Sequence, residues 1–446
     1  IYLLYHFTPF FCFFIPAIFA KRNLILENMT SKERLQTVLS HKDADRIALD
    51  FGATTVTGLH CIIVEKLREY YGLERRPVRI IDPFQMLGEV DDELLDLIGI
   101  DTIGIWGRKN MFDIDETRLH EQITPWGQTV LIAEDINLTP DEEGDVYIYA
   151  GGDCSRPPSA VMPDGCYFVN AIERQKMIDD DNLNPEDNLE EFGYITNEDV
   201  NFLKQDIEKR ATTGKAVVAS FGGAALGDVA FVPGMGLKDP KGIRSVAEWY
   251  MSTMMRQDYI HQVFEKQIDI AIENYKKLWK AVGDKVDVVF TCGTDFGSQE
   301  SQFCSLDTFR ELWLPHYKRM NDWIHQNTTW KVFKHSCGAI LPILPGIIDA
   351  GFDIINPVQI NAKDMDSVRL KENFGDQITF WGGGIDTQKV LPFGTPEEIH
   401  AHVLKQCEIL GKNGGFVFNT VHNIQANVPI ENVVAMIDAL KTIRNK

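Results

Sequence analysis

Short, almost continuously apolar runs alternate with longer helical patterns along most of the chain, and this alternation restricts the fold more than any other property. The runs are Arg46–Asp50, Thr102–Ile105, Ala216–Ser220, Val286–Phe290, Trp330–Lys334, Asp353–Asn356, Ile378–Phe380 and Gly415–Asn419. A strand with one wet face alternates apolar and polar residues, whereas an unbroken apolar run marks a strand covered on both faces, as in parallel sheets. Helical spacing predicts helices over Ser31–Ser40, Leu59–Tyr71, Met86–Leu97, Asn197–Arg210, Ile243–Gln257, Ile260–Val282, Leu306–Gln326, Leu341–Ala350, Pro396–Leu410 and Ile430–Ile443. Eight strands alternating with helices predict an α/β fold, the (β/α)8 TIM barrel. The competing doubly wound sheet would place a GxGxxG turn after its first strand, and none is there. The alternation breaks between about Trp106 and Val169, where turn signals flank Thr129–Ile132 and Val146–Tyr149. This segment is expected to be a β-hairpin insertion in the first half, packed on the barrel. Asp179–Asp181 reads as a solvated loop.

A formal net charge of -21 argues against a nucleic-acid partner, which calls for a basic patch or stripe. The 8 cysteines form no CxxC and no regular framework, so they read as thiols or metal ligands in a reducing cytoplasm. Residues Ile1–Ala20 are apolar and are followed by Lys21-Arg22, the reverse of the charge order in a secretory signal. As an anchor, the trailing pair would keep the body cytoplasmic. Met29-Thr30-Ser31-Lys32-Glu33 instead reads as a start, with Thr30 and Glu33 forming a capping box. Residues 1–28 are therefore expected to be an upstream extension and 29–446 the folded unit, cytoplasmic and without stable membrane association.

In a barrel of this class functional groups collect just after the carboxyl ends of the strands. Those positions hold Asp295 and Gln299, then His335-Ser336-Cys337-Gly338, then Asn356 and Gln359, then Gly382–Gly384 and Asp386, and finally His422. His335 and Cys337 lie two residues apart at one strand end and offer the nitrogen and sulfur donors that zinc takes. A catalytic zinc needs a third protein ligand, and His422, after the strand that neighbours the first in a closed barrel, can supply it. The plainer alternative makes Cys337 a small buried apolar residue and His335 a hydrogen-bonded active-site histidine. Asp295 is a candidate acid/base or a helix cap, and Gln299 a candidate amide donor. Gly383 and Gly384 permit close backbone approach to a ligand, as they would also permit a tight turn. His261, His316, His325, His400 and His402 fall on predicted helices and read as surface or packing residues. Phe221-Gly222-Gly223 lacks the lysine and hydroxyl of a phosphate loop.

The segments Asp295-Phe-Gly297, Lys334–Gly338, Asn356–Gln359, Gly383–Gln388 and His422–Gln425 together resemble the uroporphyrinogen decarboxylase superfamily. They are most similar to its corrinoid-dependent branch, such as the methylcobamide:coenzyme M methyltransferases. The resemblance runs from about Met29 to the carboxyl end and is tightest in the second half. It implies the same barrel, and zinc held by His335, Cys337 and a later cysteine that activates an accepting thiol. It also implies a corrinoid supplied by a partner protein and a small-molecule methyl donor or acceptor. Asn356, Gln359, Gly383, Gly384 and Asp386 become substrate-binding candidates, and Asp295, Gln299, His335 and His422 catalytic ones. Counting back from Pro429–Asn432, the later cysteine is replaced by His422. One thiolate and two neutral imidazoles leave about +1 on a zinc site. That points to an acceptor other than coenzyme M, or to Lewis-acid action on the oxygen of a methoxyl donor, within a substrate class of thiol, methoxyl or methylamine type. The decarboxylase proper holds its tetrapyrrole with arginines near the amino terminus and an early aspartate. Here Phe51–Thr57 contains no arginine, and Trp106-Gly107 stands where the aspartate is expected. A corrinoid- or tetrapyrrole-binding protein without chemistry is a further alternative.

Overall fold

The computed structural model describes residues 29–444. All eight expected runs form one parallel sheet: β1 (Ala48–Leu49), β2 (Thr102–Ile105), β3 (Ala216–Ser220), β4 (Val288–Cys292), β5 (Lys331–His335), β6 (Ile354–Asn356), β7 (Thr379–Trp381) and β8 (Phe416–Phe418). The order β1-β8-β7-β6-β5-β4-β3-β2 is that of a (β/α)8 barrel. The last seam, between β1 and β2, has no regular ladder. It is joined instead by the Asp101 amide donating to the Leu49 carbonyl at 2.9 Å and by the Asp101 carboxylate. That fully buried carboxylate accepts from the Leu49 amide, from Arg34 and twice from Arg46.

Thirteen helices accompany the strands among the described residues: α1 (Ser31–Leu39), α2 (Cys61–Tyr70), α3 (Asp92–Ile98), α4 (Asn197–Arg210), α5 (Val246–Met255), α6 (Gln257–Val282), α7 (Leu306–Leu312), α8 (Leu314–Asn327), α9 (Leu344–Asp349), α10 (Ser367–Phe374), α11 (Val390–Phe393), α12 (Pro396–Leu410) and α13 (Ile430–Arg444). The capping box of Thr30 and Glu33 starts α1 as expected. This helix crosses the amino-terminal end of the barrel. Leu35, Val38 and Leu39 join the barrel-interior residues Ala48, Val218, Val288, Phe333 and Val417 in one apolar cluster. The larger cluster fills the layer between sheet and helices.

Three expectations need correction. The predicted helix Met86–Leu97 begins instead as a short strand, Leu87–Gly88, and Asp91 caps a helix only from Asp92. The single helix over Leu306–Gln326 breaks at Trp313, because Pro315 opens α8 as a new first turn. The insertion is more than one hairpin. Leu119–Ile123 and Thr129–Ala133 do pair antiparallel, but they extend a five-stranded sheet with Leu59–His60, Val78–Asp82 and Leu87–Gly88. Val146–Ile148, Ala160–Met162 and Asn170–Ala171 form a separate antiparallel sheet. The extension expected over residues 1–28 lies outside the described residues. Among the described residues no helix is long and apolar enough to cross a membrane.

Candidate metal centre

His335 is the last residue of β5, and Cys337 follows it at the carboxyl-end mouth. Its ring is held from behind. The Asn356 side chain, ending β6, donates through Nδ2 to the Trp381 carbonyl at 2.8 Å, which fixes its Oδ1 as the acceptor for His335 Nδ1–H at 2.6 Å. The neutral ring therefore turns its unprotonated Nε2 towards Cys337 Sγ, 3.3 Å away. Bonds of about 2.1 Å to nitrogen and 2.3 Å to sulfur put two donors of a tetrahedral zinc about 3.6 Å apart. An imidazole anchored by a hydrogen bond at its other nitrogen is the usual arrangement of a metal-binding histidine.

His422, after β8, completes the group. One donor atom from each of His335, Cys337 and His422 lies within 4.8 Å of the others, and the two rings meet edge to face at 5.4 Å. Burial depresses both imidazoles to about 4, so both are neutral donors at pH 7. The Asn423 amide donates to His422 Nδ1 at 2.8 Å. His335 and Cys337 thus suit zinc as they stand, and His422 suits it through Nε2 once that hydrogen bond is exchanged and the tautomer shifts.

The Cys337 loop is fixed on three sides. Asp295, after β4, accepts the Cys337 amide at 2.7 Å, and its Oδ1 lies 3.7 Å from His335 Nε2. Gln359 accepts the Gly338 amide at 2.7 Å, while Ser336 accepts the Phe296 amide at 2.9 Å. Gly297 and Gly338 touch back to back. A Cβ on Gly338, at φ +92°, would lie 2.2 Å from the Gly297 carbonyl carbon. Burial pushes the Asp295 carboxyl up, and burial together with Asp295 pushes the Cys337 thiol well up. A metal at this point would displace that thiol proton.

The other anticipated residues sit around this centre and are hydrogen-bonded to one another. Gln359 donates to Gln299, and Gln299 donates to Gln388 and to the Asn361 carbonyl. Asn361 in turn reaches Asp386, whose carboxylate also accepts the Gln388 and Lys389 amides. These amides lace the mouth loops together. At Gly383 a Cβ would meet Val358 at 2.7 Å, and at Gly384 the Phe418 ring at 2.2 Å, so both glycines make room for protein side chains.

Two neighbours were not anticipated. Lys334 is fully buried on β5, and its ammonium donates to the Thr294 carbonyl at 2.6 Å and the His335 carbonyl at 2.5 Å. Asp228, in the loop after β3, is buried and pushed up to about 6, chiefly by desolvation and then by Asp295. The charge of Lys334 inside an apolar run was the available signal for the first. The strand-end rule applied beyond Phe221–Gly223 was the signal for the second.

The profile of the uroporphyrinogen decarboxylase (URO-D) family matches residues 175–443. Among solved structures, a methyltransferase from Methanosarcina mazei aligns with a TM-score of 0.51 at 13% identity, covering 93% of this chain and 99% of that one. At that identity the likeness is one of fold. Endo-glycoceramidase II from Rhodococcus sp., in its lactosyl-enzyme intermediate, aligns at a TM-score of 0.28 and 12% identity over 56% of this chain and 66% of that one, too remote to carry an argument. No curated protein matches the chain.

Proposed function

We propose, on the premise that the chain belongs to the uroporphyrinogen decarboxylase family, that it is a zinc-dependent methyltransferase of that family's barrel. In this reading it moves a methyl group between a corrinoid protein and a small molecule bearing a thiol, methoxyl or methylamine group. The observation that carries the reading is the convergence of His335, Cys337 and His422 within 4.8 Å at the mouth of the barrel. Zinc held there would supply Lewis acidity, lowering the pKa of a bound thiol or polarising the oxygen of a methoxyl group.

The chain's own residues do the rest. Asn356 keeps the lone pair of His335 Nε2 facing the donors, and Asp295 and Gln359 hold the backbone on either side of Cys337. The buried Lys334 ammonium ties the carbonyls of β5 and the loop after β4 together behind the site. Gln299, Asn361 and Asp386 join the rim where a small molecule would enter.

A tetrapyrrole decarboxylase is the less favoured reading. Asp50, the acid at the end of β1, is fully buried and is engaged by Thr102 at 2.7 Å and by the Trp381 indole at 2.8 Å. Arg108, after β2, is paired with Asp115 and Asp199. Asp50 is therefore not free to accept from a pyrrole N–H, and Arg108 is not free as counter-charge to a polycarboxylate substrate.

Elemental analysis of the purified chain and of Cys337→Ala tests the proposal, together with spectroscopic demethylation of methylcobalamin in the presence of a thiol panel. About one zinc per chain at this site, lost in Cys337→Ala along with methyl transfer, is the expected result. Full methyl transfer by metal-free chain would sink the zinc reading. Chelator-insensitive carbon dioxide release from uroporphyrinogen would replace it with decarboxylation, and an absorption change with cobalamin but no transfer would leave a binding protein.

A further inference from the structure

A second group of metal-donor side chains lies on the outside of the barrel, away from the mouth. His261 stands in the first turns of α6 and His316 near the start of α8, and these helices pack side by side. His261 Nδ1 lies 3.1 Å from His316 Nε2, with ring centroids 5.4 Å apart and planes at 44°. Behind His316, Glu265 Oε2 lies 3.5 Å from Nδ1, and the Phe264 ring meets the imidazole edge to face at 5.7 Å. Glu265 therefore favours the proton on Nδ1 and leaves the Nε2 lone pair facing His261. A carboxylate behind an imidazole whose other nitrogen faces a second donor is the outer arrangement found around metal-bound histidines. His316 is deeply buried and held down at about 4, chiefly by burial and then by His261, so its ring is neutral at pH 7. Glu265 and Asp269 set two carboxylates against the single guanidinium of Arg319.

We propose that His261 and His316 form a second, two-imidazole site for a divalent cation of the zinc, nickel or copper type, fastening α6 to α8. Two nitrogens 3.1 Å apart match the separation of neighbouring donors on one such ion, with bonds of about 2.1 Å. Binding moves the proton that the two rings otherwise share from His261 Nδ1 to His261 Nε2, so both rings ligate as neutral imidazoles. Because α6 leads into β4 and α8 into β5, it would brace the scaffold behind Asp295 and His335. The proposal does not depend on the reading of the barrel mouth.

The test is zinc competition against a chromophoric chelator on metal-stripped protein. Wild type is expected to take up two zinc ions per chain, and a His335→Ala/Cys337→Ala double variant one. Adding His261→Gln, a helix-compatible change at a partly exposed position, should weaken that remaining ion at least about tenfold. Saturating zinc should raise the melting temperature of the double variant but not of the triple variant. A double variant that is folded by circular dichroism yet takes up no zinc overturns the proposal, as does unchanged binding after His261→Gln. If the double variant does not fold, one zinc fewer in His261→Gln than in wild type decides in favour, and equal stoichiometries decide against. Loss of the barrel-mouth site alone would leave the His261 dependence intact, so the two readings fail separately.

Discussion

Asn356 serves an imidazole before it serves any substrate. The sequence placed it, with Gln359, at a strand end among candidate substrate-binding groups. In the structure one amide holds the tautomer of His335 and the other accepts from the Gly338 backbone. Strand-end position was legible because it follows from the run of apolar residues. The direction of each amide was not, because it depends on partners far away in sequence. Replacing Asn356 by alanine should weaken zinc binding about 10–100-fold with little change in fold, measured by chelator competition. The two buried rings also make stability depend on pH. His335 and His422 stand at about 4 when folded against an ordinary value near 6.5, so below that value the unfolded chain binds more protons. Their contribution is fully present above about pH 6.5 and is lost as pH falls through about 4, by up to about 3 kcal/mol per ring. Urea midpoints of the metal-free chain should therefore fall between pH 7 and pH 4.5, and fall less in His422→Gln.

At the scale of elements, every barrel strand was legible and the pieces around them were less so. An unbroken apolar run can be read from composition alone, and all eight became parallel strands. The short helices α10 and α11 escaped because eight and four residues hardly establish a period. Met86–Leu97 misled because Leu87 and Val90, both buried, fit a helical face, whereas Leu87 pairs with His60 in a sheet. The Gly297–Gly338 contact is an element-level device, bringing the loops after β4 and β5 into backbone contact beneath Cys337. Gly338→Ala should force those loops apart and strain a left-handed backbone position, costing about 2–4 kcal/mol. A lowered denaturant midpoint with reduced zinc uptake is the expected readout, and an unchanged midpoint would refute the contact's importance.

Across the whole molecule the sequence announced a closed barrel but not how it closes. Between β1 and β2 the ring is completed by one carboxylate and two guanidiniums, which no periodicity reveals. Asp101→Asn should leave Arg34 and Arg46 poorly matched in a dry setting and cost about 3–5 kcal/mol, measured by equilibrium unfolding. The insertion was legible as an interruption, but its division between two sheets rests on long-range pairings such as Val78 with Val130. Helix α1, lying across the other end of the barrel, also has a kinetic meaning. With its leucines and valine filling the floor, the centre at the mouth is a room with one door. No side chain of the centre is assigned to hold the group between visits, so giver and counterpart must meet at that door together, and turnover by this chain should follow a sequential rate law, with intersecting lines in double-reciprocal plots.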